Sequence, residues 1–429
     1  MTLKYSLTLS AAILLASATT TSAADFSTEV SARLNVVTDA YQFLHRNPET
    51  GKKEFKAQDY LKKKLIALGF TDFVDSKLAP TAVIAVLDTH RPGPVIALRA
   101  EMDGRPLEKD VTEPVAHNPR SEVPGFMHNC GHDAHAAILL GTAALVINNI
   151  DKFDGKIVFL FQPAEETAVG GDDIVNEGIL PALGVTKIFA EHVAPGMAVG
   201  TVAMSPGASL AGSNTFALRL TGRSSHAAAP FEGDDVLLNA MKIAEEISLW
   251  PARRVDIANS PIIVSIYKFK SEPPPGALPA EVEIGGTIRA FADLTVADGG
   301  NPPIADRLNT LVTDLAKSYG LAAVWSLKPG SPPTYNDPQI VSDLGSKLPA
   351  VFPGTVDTRP WRGMFSEDFA YYGKTIPSLY MSLGIAKDGL GLANVHTPDF
   401  TIHPDAFRSG LTLMSLVAEI ATTGGAAWH

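Results

Sequence analysis

Between Gly125 and Gly141 the chain reads GFMHNCGHDAHAAILLG. The only cysteine of the protein, Cys130, stands there with His128, His132, His135 and Asp133, all inside eight residues. A thiolate and several imidazoles at this density repel and desolvate one another unless a cation binds them. The flanking glycines allow the backbone to turn tightly enough for neighbouring side chains to converge. Because the sole cysteine lies at the centre of the cluster, a metal site is the reading preferred over a chance gathering of core histidines. A second chemical stretch is the adjacent pair Glu165-Glu166, which follows the apolar run KIVFLF at 156–161. A third is Glu191-His192, at the end of a strand expected over Thr186–Ala190.

The elements around these residues can be read from periodicity and breakers. Glu29–Arg46 carries Val30, Leu34, Val37, Tyr41 and Leu44 at helical spacing and ends before Pro48. A helix over Phe55–Leu68 closes on Gly69. Ala82–Leu87 and Val95–Ala100 read as strands, and the metal-like cluster opens a helix to Ile147. Lys156–Phe161 has the continuous apolarity of a strand buried on both faces, which carries Glu165 and Glu166 to a sheet edge. At that extended strand end adjacent side chains point to opposite sides, separating the roles of the two carboxylates.

From Ser213 the texture changes. A strand at Asn214–Thr221, a helix at Asp235–Ile247, strands at Ile262–Phe269 and Val282–Phe291, a helix at Ile304–Tyr319 and a strand at Ala322–Leu327 follow. This β-α-β-β-α-β order is that of a ferredoxin-like unit, expected over 213–329 as an insertion. It would divide the main domain into 25–212 and 330–429, the latter ending in a helix over Asp405–Ala421.

With 429 residues, 45% hydrophobic and 19% charged, the chain has the composition of a globular protein of two domains. Its 35 basic and 46 acidic residues give a net charge of −11 without basic blocks, against nucleic acid or an anionic membrane as partner. Residues 1–24 read as a signal peptide. Lys4 precedes the apolar run Leu7–Ala16, and Ser22, Ala23 and Ala24 offer a cleavage site. The expected location is therefore periplasmic or secreted, where a lone thiol needs burial or a metal.

Ten short motifs occur in order: HRNPE at 45–49, LRAEMD at 98–103, MHNCGHDAH at 127–135, FQPAEE at 161–166 and EHVAPG at 191–196, then GRSSHAAAP at 222–230, GGTIRAF at 285–291, YNDP at 335–338, SEDF at 366–369 and VHTPDF at 395–400. Together the chain resembles the co-catalytic metal aminoacylase and carboxypeptidase family, in the branch of hippurate hydrolase and the auxin–amino-acid conjugate hydrolases. The resemblance implies an α/β catalytic domain with a central mixed sheet flanked by helices, and an inserted ferredoxin-like lid that mediates a homodimer. It implies two divalent metal ions on Cys130, His132, Glu166, His192 and His396, with the thiolate favouring zinc ahead of manganese, cobalt or nickel. Glu165 would be the general base that takes a proton from a water between the ions and returns it to the leaving amine. His226 would reach into the partner's site to stabilise the oxyanion, and Arg289 would pair with a substrate carboxylate. His128, His135 and Asp133 would orient the ligating imidazoles.

The implied activity is hydrolysis of N-acyl amino acids or similar small amides, with a carboxypeptidase or dipeptidase as the alternative. A binding protein that kept the fold should have lost a ligand or the base, and none is lost. A serine hydrolase lacks its G-x-S-x-G elbow here. Two positions depart from the branch pattern: Glu101 stands where Asp is usual, and Gly276-Ala277-Leu278-Pro279 replaces Asn-Val-Ile-Pro.

Overall fold

The structure is a computed structural model that describes residues 26–297 and 300–424; the expected signal peptide lies outside the described residues. In chain order the main elements are helices α1 (Ser27–Arg46) and α2 (Phe55–Leu68), strands β1 (Asp72–Val74), β2 (Val83–Asp88) and β3 (Val95–Glu101), and helix α3 (His132–Asn148). Strands β4 (Lys156–Gln162), β5 (Lys187–Ala198) and β6 (Thr201–Ala203) follow. The inserted unit contributes β7 (Gly212–Thr221), α4 (Val236–Arg254), β8 (Ile262–Lys270), β9 (Glu281–Ala290), α5 (Ile304–Ser318) and β10 (Ala322–Pro329). The chain then returns through β11 (Thr355–Asp357), β12 (Ser378–Ala386) and helix α6 (Asp405–Thr423).

The main sheet has eight strands in the order β1-β2-β4-β3-β5-β12-β6-β11. Its centre is parallel: β4, β3, β5 and β12 run the same way, and β2 flanks them antiparallel. Parallel strands must be covered on both faces, and they are. One face packs on α1, α2, α3 and α6 through Val37, Leu61, Ile138 and Leu411, and the other is closed by a second cluster around Ile174, Leu180, Phe369 and Tyr372. Helix α3 is buried from His132 to Val146, which explains why it is apolar on every side. The four parallel strands therefore end together on one edge of the sheet, beside the first turn of α3.

In the inserted unit the strand order is β8-β9-β7-β10, all antiparallel, with α4 and α5 covering one face over a separate core that includes Phe216, Ile243, Ile284 and Val312. This is the ferredoxin-like arrangement. Its first and last strands are neighbours, and Gly330 N–H donates to Ser213 O (2.9 Å) while Ser213 N–H donates to Ser331 O (2.9 Å). Entry and exit of the unit thus lie side by side, so the insertion leaves the main sheet unbroken.

Helix α4 runs seven residues past the expected end at Ile247, because Pro251 lies within its last turns without stopping it. Strand β5 also continues past Ala190. Parallel pairing of Met381 with Glu191 and Ser382 with His192 holds these polar residues in the ladder.

Candidate metal and catalytic site

The site is built where β3, β4 and β5 end against α3. Gly131 caps α3 in the left-handed conformation (φ +92°), and a Cβ at this position would lie 2.5 Å from Val193 Cγ2. Glycine is therefore required, and the tight turn presents Cys130 and His132 together. His132 Nδ1 donates to Asp103, whose backbone oxygen is at 3.0 Å and carboxylate Oδ1 at 3.1 Å. Its other nitrogen, Nε2, is buried without a hydrogen-bond partner and faces the cluster. Asp103 Oδ2 accepts from Glu166 N–H (3.0 Å), so one carboxylate fixes two of the converging groups.

Strand β5 delivers His192, whose Nδ1 bonds Val193 O (2.8 Å) and whose Nε2 lies 3.6 Å from Cys130 Sγ. Burial lowers the His192 pKa to about 4, which keeps its lone pair free for a ligand bond. Burial also pushes the Cys130 thiol up, so a thiolate there needs an adjacent cation. His396, in left-handed backbone (φ +66°), is tied to the cluster by its N–H on Asn129 O (2.6 Å) and places Nε2 3.5 Å from Glu166 Oε1.

Candidate ligand atoms of Cys130, His132 and His192 lie within 4.8 Å of one another, as do those of Cys130, Glu166 and His396 and those of His132, Glu165 and Glu166. Cys130 and His132 each appear in two of these groups. With His132 Nε2 and Glu166 Oε1 buried among them without hydrogen-bond partners, the donor set fits two divalent cations.

Glu165 and Glu166 are not on an extended strand end. Strand β4 stops at Gln162, Pro163 cannot extend the ladder, and Ala164 turns the chain at φ +59°. What separates the two carboxyls is environment. Against the effect of burial, His396, His132 and Arg105 hold Glu166 down at about 2. Burial, with Glu367 and Asp368 beside it, drives Glu165 well above the usual carboxylate range. The two carboxyls are thus pushed in opposite directions, which is the division expected of a ligand and an acid–base group.

These groups open into a cavity of about 1340 Å³ between the main sheet edge and the inserted unit. Arg289 reaches it from β9, donating to Met364 O (3.3 Å) and Ser366 Oγ (3.2 Å), and Trp361 and Phe365 form an apolar wall. His226 is not among the residues lining this cavity. It is exposed on a short hairpin where Ser225–His226 pairs with Ala277–Leu278.

The pattern of peptidase family M20/M25/M40 matches residues 97–420. The chain belongs to this family. Among M20-type relatives it is 31% identical over 383 residues to an IAA-amino acid hydrolase of Arabidopsis thaliana (87% of this chain, 83% of that protein). It is 32% identical to an N-acetyl-L-cysteine deacetylase of Bacillus subtilis (85% and 82%) and 30% identical to thermostable carboxypeptidase 2 of Saccharolobus solfataricus (87% and 92%). The solved structure of a dinuclear metal-binding M20 peptidase from Bacillus subtilis superposes with a TM-score of 0.76 at 25% identity, covering 91% of this chain and 98% of that one.

Two residues that shape this M20 site, Asp103 and Arg99, have no role in the sequence reading, whereas His135 was expected to orient a ligating imidazole. Asp103 orients His132, a task expected of Asp133; Asp133 instead turns to His45 (2.6 Å). His135 accepts Val193 N–H at Nε2 (2.9 Å) and donates from Nδ1 to Glu101 (2.8 Å), bracing the residue next to His192. Arg99, fully buried, binds Glu101, Glu367 (2.9 Å), Asp368 (2.7 Å) and Gln162 (2.9 Å) beneath the cluster. An arginine inside the apolar strand Val95–Ala100 was the available signal, since a charge there must find buried partners.

Proposed function

We propose that this chain is a metal-dependent amidohydrolase that cleaves N-acyl amino acids or similar small amides. The observation that carries the reading is the convergence of Cys130, His132, Glu166, His192 and His396 with Glu165 beside them, in overlapping groups whose ligand atoms lie within 4.8 Å of one another. Cys130, His132, Glu166, His192 and His396 would hold two divalent cations, and the thiolate favours zinc over harder ions. Bound there, the cations supply Lewis acidity for the amide carbonyl and for the attacking water. Burial, Glu367 and Asp368 push the Glu165 carboxyl up and His132 pulls it down, and bound cations would pull it further. A group so balanced takes the proton of the attacking water and delivers it to the leaving nitrogen. Arg289 presents a guanidinium to the cavity for a substrate carboxylate, and the wall of Trp361 and Phe365 suits an apolar acyl group.

The family relatives support the reading by the substrates in their names, a conjugated and an acetylated amino acid. The carboxypeptidase relative supports the alternative, a peptidase acting on short peptides with the same residues. His226, exposed and away from its own cavity, fits a residue supplied to a partner subunit in a homodimer through the inserted unit. The apolar run Leu7–Ala16 supports export. The test is amino-acid release from N-benzoyl, N-acetyl and longer N-acyl amino acids beside dipeptides, after chelation and after zinc, manganese or cobalt is returned. Faster cleavage of acyl amino acids is expected. A preference for dipeptides would favour the peptidase, and metal-independent cleavage would overturn both.

A further inference from the structure

One cation in the site belongs to the protein itself. Arg105 Nη1 lies 2.5 Å from Glu166 Oε2 and 3.0 Å from His396 Nε2. A guanidinium has only donors, so its contact with His396 requires the lone pair on Nε2. That lone pair is the one a metal would use. The residue's backbone is fixed, because Arg105 pairs with Met127 in a short ladder and Gly104 N–H donates to Glu49 O (2.6 Å). Its side chain is less confined: it is 30% exposed and lines the cavity, so the guanidinium has space to leave. The Cys130–His132–His192 group differs. Its contacts are His132 Nε2, without a hydrogen-bond partner and 3.8 Å from Glu165 Oε2, and Cys130 Sγ against His192 Nε2 at 3.6 Å, and among the described residues no arginine or lysine is hydrogen-bonded to those three ligand atoms. The buried Arg99 is committed to Glu101, Glu367 and Asp368.

We propose that Arg105 gates the Glu166–His396 half of the site, so that the two ions load in order. The first enters among Cys130, His132 and His192; the second enters only as Arg105 releases His396 Nε2 and withdraws into the cavity. This inference rests on the metal-site reading above and adds to it a residue that makes the two halves unequal. Competition for the His396 lone pair and repulsion between guanidinium and dication both weaken the second ion, by about tenfold to a hundredfold for like charges a few ångströms apart at a partly exposed site.

The test is zinc content of the full chain after dialysis against a series of buffered free-zinc concentrations. Wild type is expected to take up one zinc per chain, then a second at a free concentration at least about tenfold higher. Arg105→Met is expected to bring the second uptake down towards the first while leaving the first in place. Arg105→Gln, uncharged but polar, should do the same if the methionine variant folds poorly. Arg105→Lys, which keeps the charge, should retain two separated steps. Superimposable two-zinc curves for wild type and Arg105→Met would overturn the gating and leave the metal-site reading intact. An absence of bound zinc in every protein would overturn both.

Discussion

His45 offers the sharpest test of how the metal-site loop is held. At the end of α1 it is 4% exposed, with Nδ1 2.6 Å from Asp133 Oδ2 and Nε2 2.9 Å from Glu113 Oε1. Asp133 lies in the first turn of α3, and Glu113 lies in the loop before it, where its other oxygen accepts Ser121 N–H (2.7 Å). Burial alone would lower the His45 pKa, but hydrogen bonds and charge from Asp133 and Glu113 outweigh it and raise the value from 6.5 to about 9. Below pH 6.5 the imidazole is charged in both folded and unfolded chains, and its contribution is complete. Between 6.5 and 9 the unfolded chain releases the proton while the folded one keeps it, and stability falls. Above 9 this contribution is gone. A rise from 6.5 to about 9, at about 1.4 kcal/mol per pH unit, is worth about 3 kcal/mol. In His45→Gln the groups common to both proteins cancel, so the wild-type advantage in urea unfolding should shrink by about 3 kcal/mol between pH 6.5 and 9.5. A difference that does not change across this range would refute the charged, doubly paired His45.

Two further outcomes follow from the local geometry. Gly131→Ala forces a side chain into left-handed backbone and against Val193 Cγ2, so about 1–2 kcal/mol or more of stability should be lost together with zinc uptake, measured by unfolding and metal analysis. Asp103→Asn keeps the backbone oxygen for His132 Nδ1 but removes the carboxylate charge and one of the two side-chain oxygens that accept from His132 Nδ1 and Glu166 N–H, and should weaken zinc binding by about tenfold in a dialysis titration; unchanged affinity would remove the Asp103 carboxylate from its orienting role.

The parts of this molecule legible in the sequence are those set by local pattern. Phe55–Leu68 with Gly69 in left-handed conformation at its end, the apolar strand before Glu165, and the β-α-β-β-α-β order of the inserted unit all follow from periodicity and breakers. The polar ladder of β5 was not legible, because Glu191 and His192 look like a strand end until β12, nearly two hundred residues later, pairs beside them. The same distance hides the support of the site. Arg99 meets Glu367 and Asp368 across more than 260 residues, and Arg105 meets His396 across 291. Motif spacing marks such residues without saying which of them touch. The turn at Ala164 shows the limit from the other side: neighbours in sequence, Glu165 and Glu166 are divided by their surroundings and not by strand alternation.

The central claim, that Glu165 moves the proton while Glu166 holds metal, is tested most directly by Glu165→Gln, assayed for both zinc content and turnover of an N-acyl amino acid. The account predicts wild-type zinc content with turnover reduced by about a hundredfold to ten-thousandfold. Full turnover with wild-type zinc content would contradict it.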